Sequence, residues 1–240
     1  MPTTAATPAQ IGPDGKPLAW VGATSHSSTG NPGDPTTITI AVATTNYPVD
    51  SDQGLPPFTH PLPPEFMPLL DAAEKTWELL ANIKFINVPD AASSSQSADI
   101  RVGMAFLRPT GGSTVGGAFS RHTTTDKLSP DTTVRIEDPA ETPVTKLSNG
   151  DYQYKGFSSA NTIFNDLLHE LGYALGLDNN PKDPTSIMYP SLTSNNLVPN
   201  TQDIAAIQAL YGVPKPHSVA LTASEVTTMK GLGILPASFA

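Results

Sequence analysis

Hydrophobic residues change their spacing along the first half of the chain, and each spacing predicts a different element. Apolar residues alternate with Thr and Ala over 37–42, the period of two that is typical of a half-buried strand. After a proline-rich loop at 48–64, apolar residues recur at helical spacing over 68–80. Short strands are predicted at 83–88 and 100–106. Strand, helix, strand, strand is the opening of an α/β domain.

The second half of the chain predicts two further helices of substantial length. A broad apolar face begins after Ser159, a suitable N-cap, and Gly176 is placed to end that helix. Asn200 or Thr201 can cap the next helix, which Gly212 closes. Weaker strand signals lie between the two halves, at 115–119 and 132–136.

Composition divides the chain into three parts. Residues 1–35 are rich in Pro, Gly, Ser and Thr without periodicity, which predicts an extended or disordered N-terminal arm. Residues 36–212 carry the periodic segments and are expected to form one domain. Residues 213–240 form a C-terminal extension, in which Thr222 and Glu225 have the capping-box spacing of a short helix.

Charge and cysteine content exclude several classes of function. The 240 residues contain 13 Lys and Arg against 22 Asp and Glu, a net charge of −9, and no basic run. Nucleic acid is therefore not expected as a partner. The lack of cysteine excludes disulfides, thiolate metal sites and a cysteine nucleophile. No stretch is apolar enough for a membrane span, and the N-terminus lacks the pattern of a signal peptide.

The segment that carries candidate chemistry lies in the second long helix. Residues 169–179 read HELGYALGLDN, followed by SIMYP at 186–190 and DIAAIQALYG at 203–212. Together these three segments resemble the metzincin zinc peptidases and, within that clan, the matrixins and the catalytic domains of serralysins. Weaker similarity extends the resemblance to about residues 36–212 through WE at 77–78, ADIRV at 98–102, GGAF at 116–119 and VRIE at 134–137.

The resemblance implies a fold and a catalytic pattern. The fold is α/β (α+β), with a twisted mixed sheet, two long helices, a Met-turn and a small, mostly helical C-terminal part. In the pattern H-E-x-x-H-x-x-G-x-x-H, three histidines hold zinc and the glutamate is the general base. Carried over, His169 matches the first ligand, Glu170 the general base, Gly176 the turning glycine and Met188 the Met-turn.

Two ligand positions depart from that pattern. Tyr173 stands at the second position and Asn179 at the third. A catalytic zinc site normally has three good protein ligands, whereas a phenol ligates only after losing a proton of pKa about 10, and an amide oxygen is a weak donor. Asp178, one residue out of register, or His60 or His122 from the loops could restore a site.

The structural metal sites of the family also look altered. Gly117 and Arg135 stand where matrixins tend to have zinc-binding histidines, and neither residue can coordinate a cation. Several acidic residues could still supply oxygen ligands for calcium, although a solvated acidic loop explains them as well. These residues are Asp131, Glu137, Asp138 and Glu141.

Two functions of different classes therefore remain. The first is a pseudopeptidase that has lost zinc and binds an extended polypeptide in the former active-site cleft, which the two missing histidines favour. The second is an active zinc endopeptidase with His169, Tyr173 and Asn179 or Asp178 as ligands, which the retained Glu170 favours. In both cases the expected partner is a polypeptide substrate or protein ligand, bound by a monomer that is secreted.

Overall fold

A computed structural model describes residues 6–12, 15–20, 35–48, 56–108, 115–119, 128, 130–215 and 219–239. The strands are β1 (Thr36–Val42), β2 (Phe58–Pro61), β3 (Ile83–Asn87), β4 (Ile100–Ala105), β5 (Gly116–Phe119), β6 (Thr132–Glu137), β7 (Val144–Lys146) and β8 (Tyr152–Tyr154). The helices are α1 (Met67–Leu80), α2 (Ile163–Ala174), α3 (Thr201–Tyr211) and α4 (Ala223–Gly231). None of the helices in these residues is long and apolar enough to cross a membrane.

The main sheet is mixed, with the order β3-β1-β4-β6-β5. Strand β1 runs parallel to β3 and β4, and β4 runs parallel to β6. Strand β5 closes this path antiparallel to β6. Because β6 pairs along the whole of β4, the other edge of β4 is shared between β1 at Ile100–Val102 and β2 at Gly103–Ala105. The predicted α/β fold with a mixed sheet is confirmed.

Helix α1 packs on α2 and joins it to the sheet. The apolar positions predicted for this helix bury Leu70, Ala73 and Trp77 completely. The Trp77 indole Nε1 donates a hydrogen bond to the Leu168 carbonyl of α2 at 3.1 Å. Burying a side chain of this kind stabilises the fold by about 1.5–3 kcal/mol, so the contact between α1 and α2 is a main part of the core.

Helix α2 begins later than its predicted N-cap, Ser159. The hydroxyl of Thr162 accepts a hydrogen bond from the Asn165 N–H at 3.2 Å and acts as the N-cap. Residues 158–161 form a turn instead, in which Ser158 Oγ and Asn161 Oδ1 lie 3.1 Å apart. Both Ser and Thr can cap a helix, so the local sequence alone did not show whether Ser159 or Thr162 occupies the N-cap position.

The two C-terminal helices have the predicted caps. The Asn200 side chain accepts from the Asp203 N–H at 3.1 Å, and Asp203 returns a bond to the Asn200 N–H at 2.9 Å. Thr222 and Glu225 form the same reciprocal box at the start of α4. Helix α4 packs against α1 and buries Met229.

Two features of the sheets were not predicted. Strand β2 lies within the expected proline-rich loop, and the Asn46 side chain holds the Phe58 backbone through bonds of 2.7 and 2.8 Å. Strands β7 and β8 form a separate hairpin of three residues each. Strands this short have no periodicity to read, because the pairing partners supply most of their stabilisation.

The described residues of the N-terminal part lie extended across the end of α2. Ala9 pairs with Leu177, and Gln10 donates its side-chain amide to the Tyr173 carbonyl at 2.8 Å. Trp20 is completely buried, and its indole N–H donates to the Ala174 carbonyl at 2.9 Å. These contacts attach residues 6–12 and 15–20 to the region that follows the sequence motif.

Candidate functional site

His169 is held in one orientation by the backbone of the loop after α2. Its Nδ1 lies 2.6 Å from the Ile187 carbonyl, and because a carbonyl only accepts, Nδ1 carries the proton. The other ring nitrogen, Nε2, is then an acceptor. Burial lowers the pKa of His169, although the Ile187 bond and the charge of Asp203 oppose the change. The imidazole is therefore neutral, the form that binds metals.

Glu170 is held against the edge strand β5. Its carboxyl accepts a hydrogen bond from the Ala118 N–H, and a Cβ placed on Gly116 would come within 2.7 Å of its Oε1. Glycine at position 116 therefore makes room for this carboxyl. Burial raises the pKa of Glu170 to about 8, and the bond from Ala118 only partly opposes this effect.

Tyr173 lies one turn beyond His169 and packs against it edge to face. The two ring centroids are 5.1 Å apart, and the planes meet at 75°. The Asn179 side chain hydrogen-bonds to the Tyr173 hydroxyl, so the residues at the second and third ligand positions contact each other. Burial raises the pKa of Tyr173 above its usual value, and the nearby Glu170 and Asp178 raise it further. The phenol therefore stays protonated at neutral pH.

A turn after α2 returns the chain toward Tyr173. Gly176 has a φ of +98°, which favours glycine, and lets Asn179 reach back to the tyrosine hydroxyl. Asp178 is exposed, and its Oδ1 accepts from the Asn179 N–H at 2.7 Å. Asp178 thus turns toward its own backbone and solvent.

Met188 lies beneath α2 at the predicted turn. It is fully buried, and a Cβ on Gly172 would be only 2.5 Å from its sulfur. Asp203 fixes this turn by accepting from Ser186 Oγ at 2.5 Å and from the Ile187 N–H at 2.9 Å. The Ile187 carbonyl is the group that orients His169, so Asp203 helps to position the imidazole. Sequence analysis gave Asp203 no such part.

The side chains at the three ligand positions do not fit a zinc site. His169 offers one imidazole nitrogen, whereas Tyr173 offers a protonated phenol that is already bonded to Asn179. Zinc in proteins takes deprotonated or strongly basic ligands, and a catalytic site needs three of them. No group of three His, Cys, Asp or Glu side chains in the described part of the chain could hold a metal ion.

The other predicted ligands lie elsewhere or cannot be placed. His60 is on β2, and its Nδ1 lies 2.5 Å from Asp138 Oδ2. It is not among the residues that line the cavity beside His169 and Glu170. His122 lies outside the described residues.

The acidic residues predicted for calcium divide between the two ends of β6. Asp131 precedes the strand and lies 3.6 Å from Arg101, which is buried. Glu137 and Asp138 are at the other end, where Glu137 accepts from Thr142 at 2.6 Å and Asp138 from Thr59 at 2.5 Å. Glu141 lies beside Glu137. Calcium binding at this second end stays a prediction.

The two positions assigned by resemblance to a structural zinc are neighbours in the sheet. Gly117 of β5 is the register partner of Arg135 of β6. The Arg135 guanidinium lies 4.4 Å from the Phe58 ring centroid and donates from Nε to the Pro56 carbonyl at 2.6 Å. The positively charged Arg135 guanidinium therefore occupies this part of the sheet, and its stacking on the Phe58 ring stabilises it.

A cavity of about 290 Å³ lies beside His169 and Glu170. Its wall includes Asp166, a buried residue that the sequence analysis did not single out. The signal was available, because Asp166 lies three residues before His169 and four before Glu170 and is therefore on the same side of the helix.

Removing the Tyr173 hydroxyl tests the contact that joins the two substituted ligand positions. We expect Tyr173→Phe to lower the free energy of unfolding by about 1 kcal/mol, the usual net value of one hydrogen bond. Chemical denaturation of Tyr173→Phe, Asn179→Ala and the double variant forms a double-mutant cycle. If the two losses simply add, the hydroxyl and the amide do not interact.

Comparisons with known proteins show which family the chain resembles. The matrixin family model matches residues 64–212, more than half of the chain. A stretch of 60 residues is 43% identical to the probable matrix metalloproteinase 095L of Invertebrate iridescent virus 3, covering 25% of this chain and 16% of that protein. A stretch of 67 residues is 42% identical to the macrophage metalloelastase of Oryctolagus cuniculus, covering 27% of this chain and 13% of that protein.

A second mammalian relative gives a similar result. The macrophage metalloelastase of Rattus norvegicus is 49% identical over 67 residues, or 25% of this chain and 13% of that protein. The aligned stretches thus cover at most 16% of any of these relatives. The family match is far longer and includes the α2 motif and the Met188 turn. The chain therefore belongs to the matrixin family of metallopeptidases.

Proposed function

We propose that this matrixin domain is a pseudopeptidase that binds an extended polypeptide in the cleft between β5 and α2. The contact between Tyr173 and Asn179 carries the proposal. In this contact, the side chains at the second and third ligand positions hydrogen-bond to each other instead of offering lone pairs to a metal ion. A hydrogen bond between uncharged groups has taken the place in which the family pattern requires two imidazoles.

The edge of β5 supports the binding part of the proposal. Strand β5 is the last strand of the main sheet, and Glu137 N–H donates to the Val115 carbonyl at 2.8 Å beside it. Because backbone groups alternate in direction along an antiparallel pair, those of Gly116 and Ala118 point away from β6. The Ala118 N–H already donates to Glu170, so the groups offered to a polypeptide are those of Gly116 and the Ala118 carbonyl. An extended polypeptide can pair with such an edge by strand addition.

The alternative function is that of an active zinc endopeptidase with unusual ligands. One observation favours it, since Glu170 is retained and burial raises its pKa to about 8, within the range useful to a general base. In this alternative, His169 would be joined as a ligand by Tyr173 and by Asn179 or Asp178. The high pKa of Tyr173 and the exposure of Asp178 oppose it.

Binding and cleavage can be separated with one unfolded substrate. We expect fluorescein-labelled casein to bind the purified chain without being cleaved, even with zinc supplied, and we expect the dialysed protein to contain far less than one zinc per chain. Binding is measured by fluorescence anisotropy, cleavage by release of small fragments and zinc by mass spectrometry. Glu170→Gln is the control, because any true zinc-dependent cleavage must disappear in it.

The two functions predict opposite results in that experiment. Zinc that survives dialysis at one per chain, with casein cleavage that Glu170→Gln abolishes, would establish the active enzyme. The absence of any casein binding by the folded chain would contradict the polypeptide-binding function. Action by a monomer outside the cell belongs to the same proposal and follows from the family resemblance alone.

A further inference from the structure

The cavity of about 290 Å³ is small and is built by four parts of the fold. These parts are helix α2, the turn before it, the start of strand β5 and the segment 189–192. Its volume lies at the lower end of the range for small-ligand sites, about 300–1,000 Å³. It therefore suits a single side chain. The lining residues are Val115, Gly116, Phe157, Asn161, Asp166, His169, Glu170, Tyr189, Pro190, Ser191 and Leu192.

Asp166 is the unusual group in this wall. Only 3% of the residue is exposed. The Tyr154 hydroxyl hydrogen-bonds to its carboxyl, but Oδ2 has no hydrogen-bond partner among the described residues. Glu170 lies one helical turn away and lines the same cavity. The described residues of the wall thus include two buried carboxyl groups and one neutral imidazole.

The described charged neighbours of Asp166 do not neutralise it. Those with the largest effect on it are Glu170, Asp151 and Glu137, all acidic. None of the described residues that line the cavity is a lysine or arginine, and Arg108 lies against the Phe157 ring with its guanidinium bonded to Thr142 at 3.1 Å. Burial of a carboxylate without a cation or full hydrogen bonding is costly, so this wall is complementary to a positive charge.

We propose that the cavity receives a basic side chain, lysine or arginine, of the bound polypeptide and that Asp166 determines this preference. The inference rests on the proposed polypeptide-binding function and specifies the chemistry of its ligand. An ammonium or guanidinium group supplies the donors that Asp166 Oδ2 lacks, and the aliphatic stem packs against Leu192, Pro190 and Val115. Burial raises the pKa of Asp166, and a bound cation opposes that change.

A small cation tests the cavity without a peptide. Butylguanidinium carries the head and stem of arginine, and butylurea is its neutral counterpart. We expect isothermal titration to show butylguanidinium binding at least about tenfold tighter than butylurea, a difference of about 1.4 kcal/mol. We expect Asp166→Asn to abolish this preference and Glu65→Gln, which removes an exposed carboxylate, to keep it.

Selection from a random library of short peptides tests the preference in a polypeptide. We expect the native chain to enrich Lys or Arg at one position, and Asp166→Val to bind peptides while enriching apolar residues there instead. Circular dichroism checks that Asp166→Asn and Asp166→Val are folded. Each substitution removes a buried carboxyl that lacks a full set of hydrogen-bond partners, so we expect both variants to fold.

Each outcome separates this inference from the proposed function. Equal binding of butylguanidinium and butylurea, or enrichment of basic residues that persists in Asp166→Asn, would overturn the role of Asp166. Peptides bound without a basic preference would overturn the inference and leave the proposed function intact. Butylguanidinium binding that depends on Asp166, without any bound peptide or casein, would contradict the polypeptide function while keeping the cation site.

Discussion

Replacing both Tyr173 and Asn179 with histidine is expected to give the chain tight zinc binding. Residue 173 lies one turn from His169, with ring centroids 5.1 Å apart, and the Asn179 side chain already reaches residue 173. Three imidazoles would then converge beside Glu170. Loss of even a group behind the ligands costs about 10–100-fold in metal affinity, so two added ligands should tighten zinc binding by more than about a hundredfold.

Zinc affinity is measured by competition with a chromogenic chelator, and casein cleavage is measured in parallel. The single variants Tyr173→His and Asn179→His should each bind zinc more weakly than the double variant. His169→Ala in the double background should remove most of the gain. A folded double variant that takes up no zinc would show that residues 173 and 179 do not converge on the His169 imidazole as the structure places them.

Substituting Gly176 with alanine is expected to destabilise the folded chain strongly. The residue has a φ of +98°, which costs a residue with a Cβ about 1–2 kcal/mol. Its Cβ would also lie 2.2 Å from the Leu18 carbonyl oxygen, and crowding of this kind costs about 1–3 kcal/mol more. Together we expect Gly176→Ala to lower the free energy of unfolding by roughly 2–5 kcal/mol.

Gly150 provides a matched control for the backbone contribution. It has a φ of +92°, and a Cβ there would meet nothing within 4 Å. Gly150→Ala should therefore cost only the roughly 1–2 kcal/mol of an unfavourable φ. Urea denaturation of both variants gives the difference that is due to Leu18. Equal losses would show that the N-terminal segment moves away without cost.

The chain sequence determined the helices whose start signals are local. Asn200 with Asp203, and Thr222 with Glu225, form capping boxes because both partners lie within one turn of each other. The alternation also predicted the position of strand β1, but not its burial, because Thr39 and Ala41 on the polar face are buried as well. The exception is the start of α2, where Ser159 and Thr162 are both suitable caps and only the preceding turn selects Thr162.

The candidate site was predictable as far as it depends on spacing along α2. His169, Glu170 and Tyr173 lie within two turns of one helix, so their relation follows from helical geometry alone. The sequence also showed that Tyr173 and Asn179 replace two histidines. It did not show that these two residues bond to each other, because that contact depends on the Gly176 turn and on residues 6–12 and 15–20 packed across it.

Only the tertiary structure decided the surroundings of the motif. Strand β5 brings the Ala118 N–H to Glu170, and Asp203 of α3 fixes the loop that orients His169. The sequence placed Asp166 on the same side of α2 as Glu170, but its cavity also depends on β5, on the turn before α2 and on the segment 189–192. The physical reason is that spacing along one element fixes directions within that element, whereas burial, hydrogen-bond partners and pKa depend on which other elements pack against it.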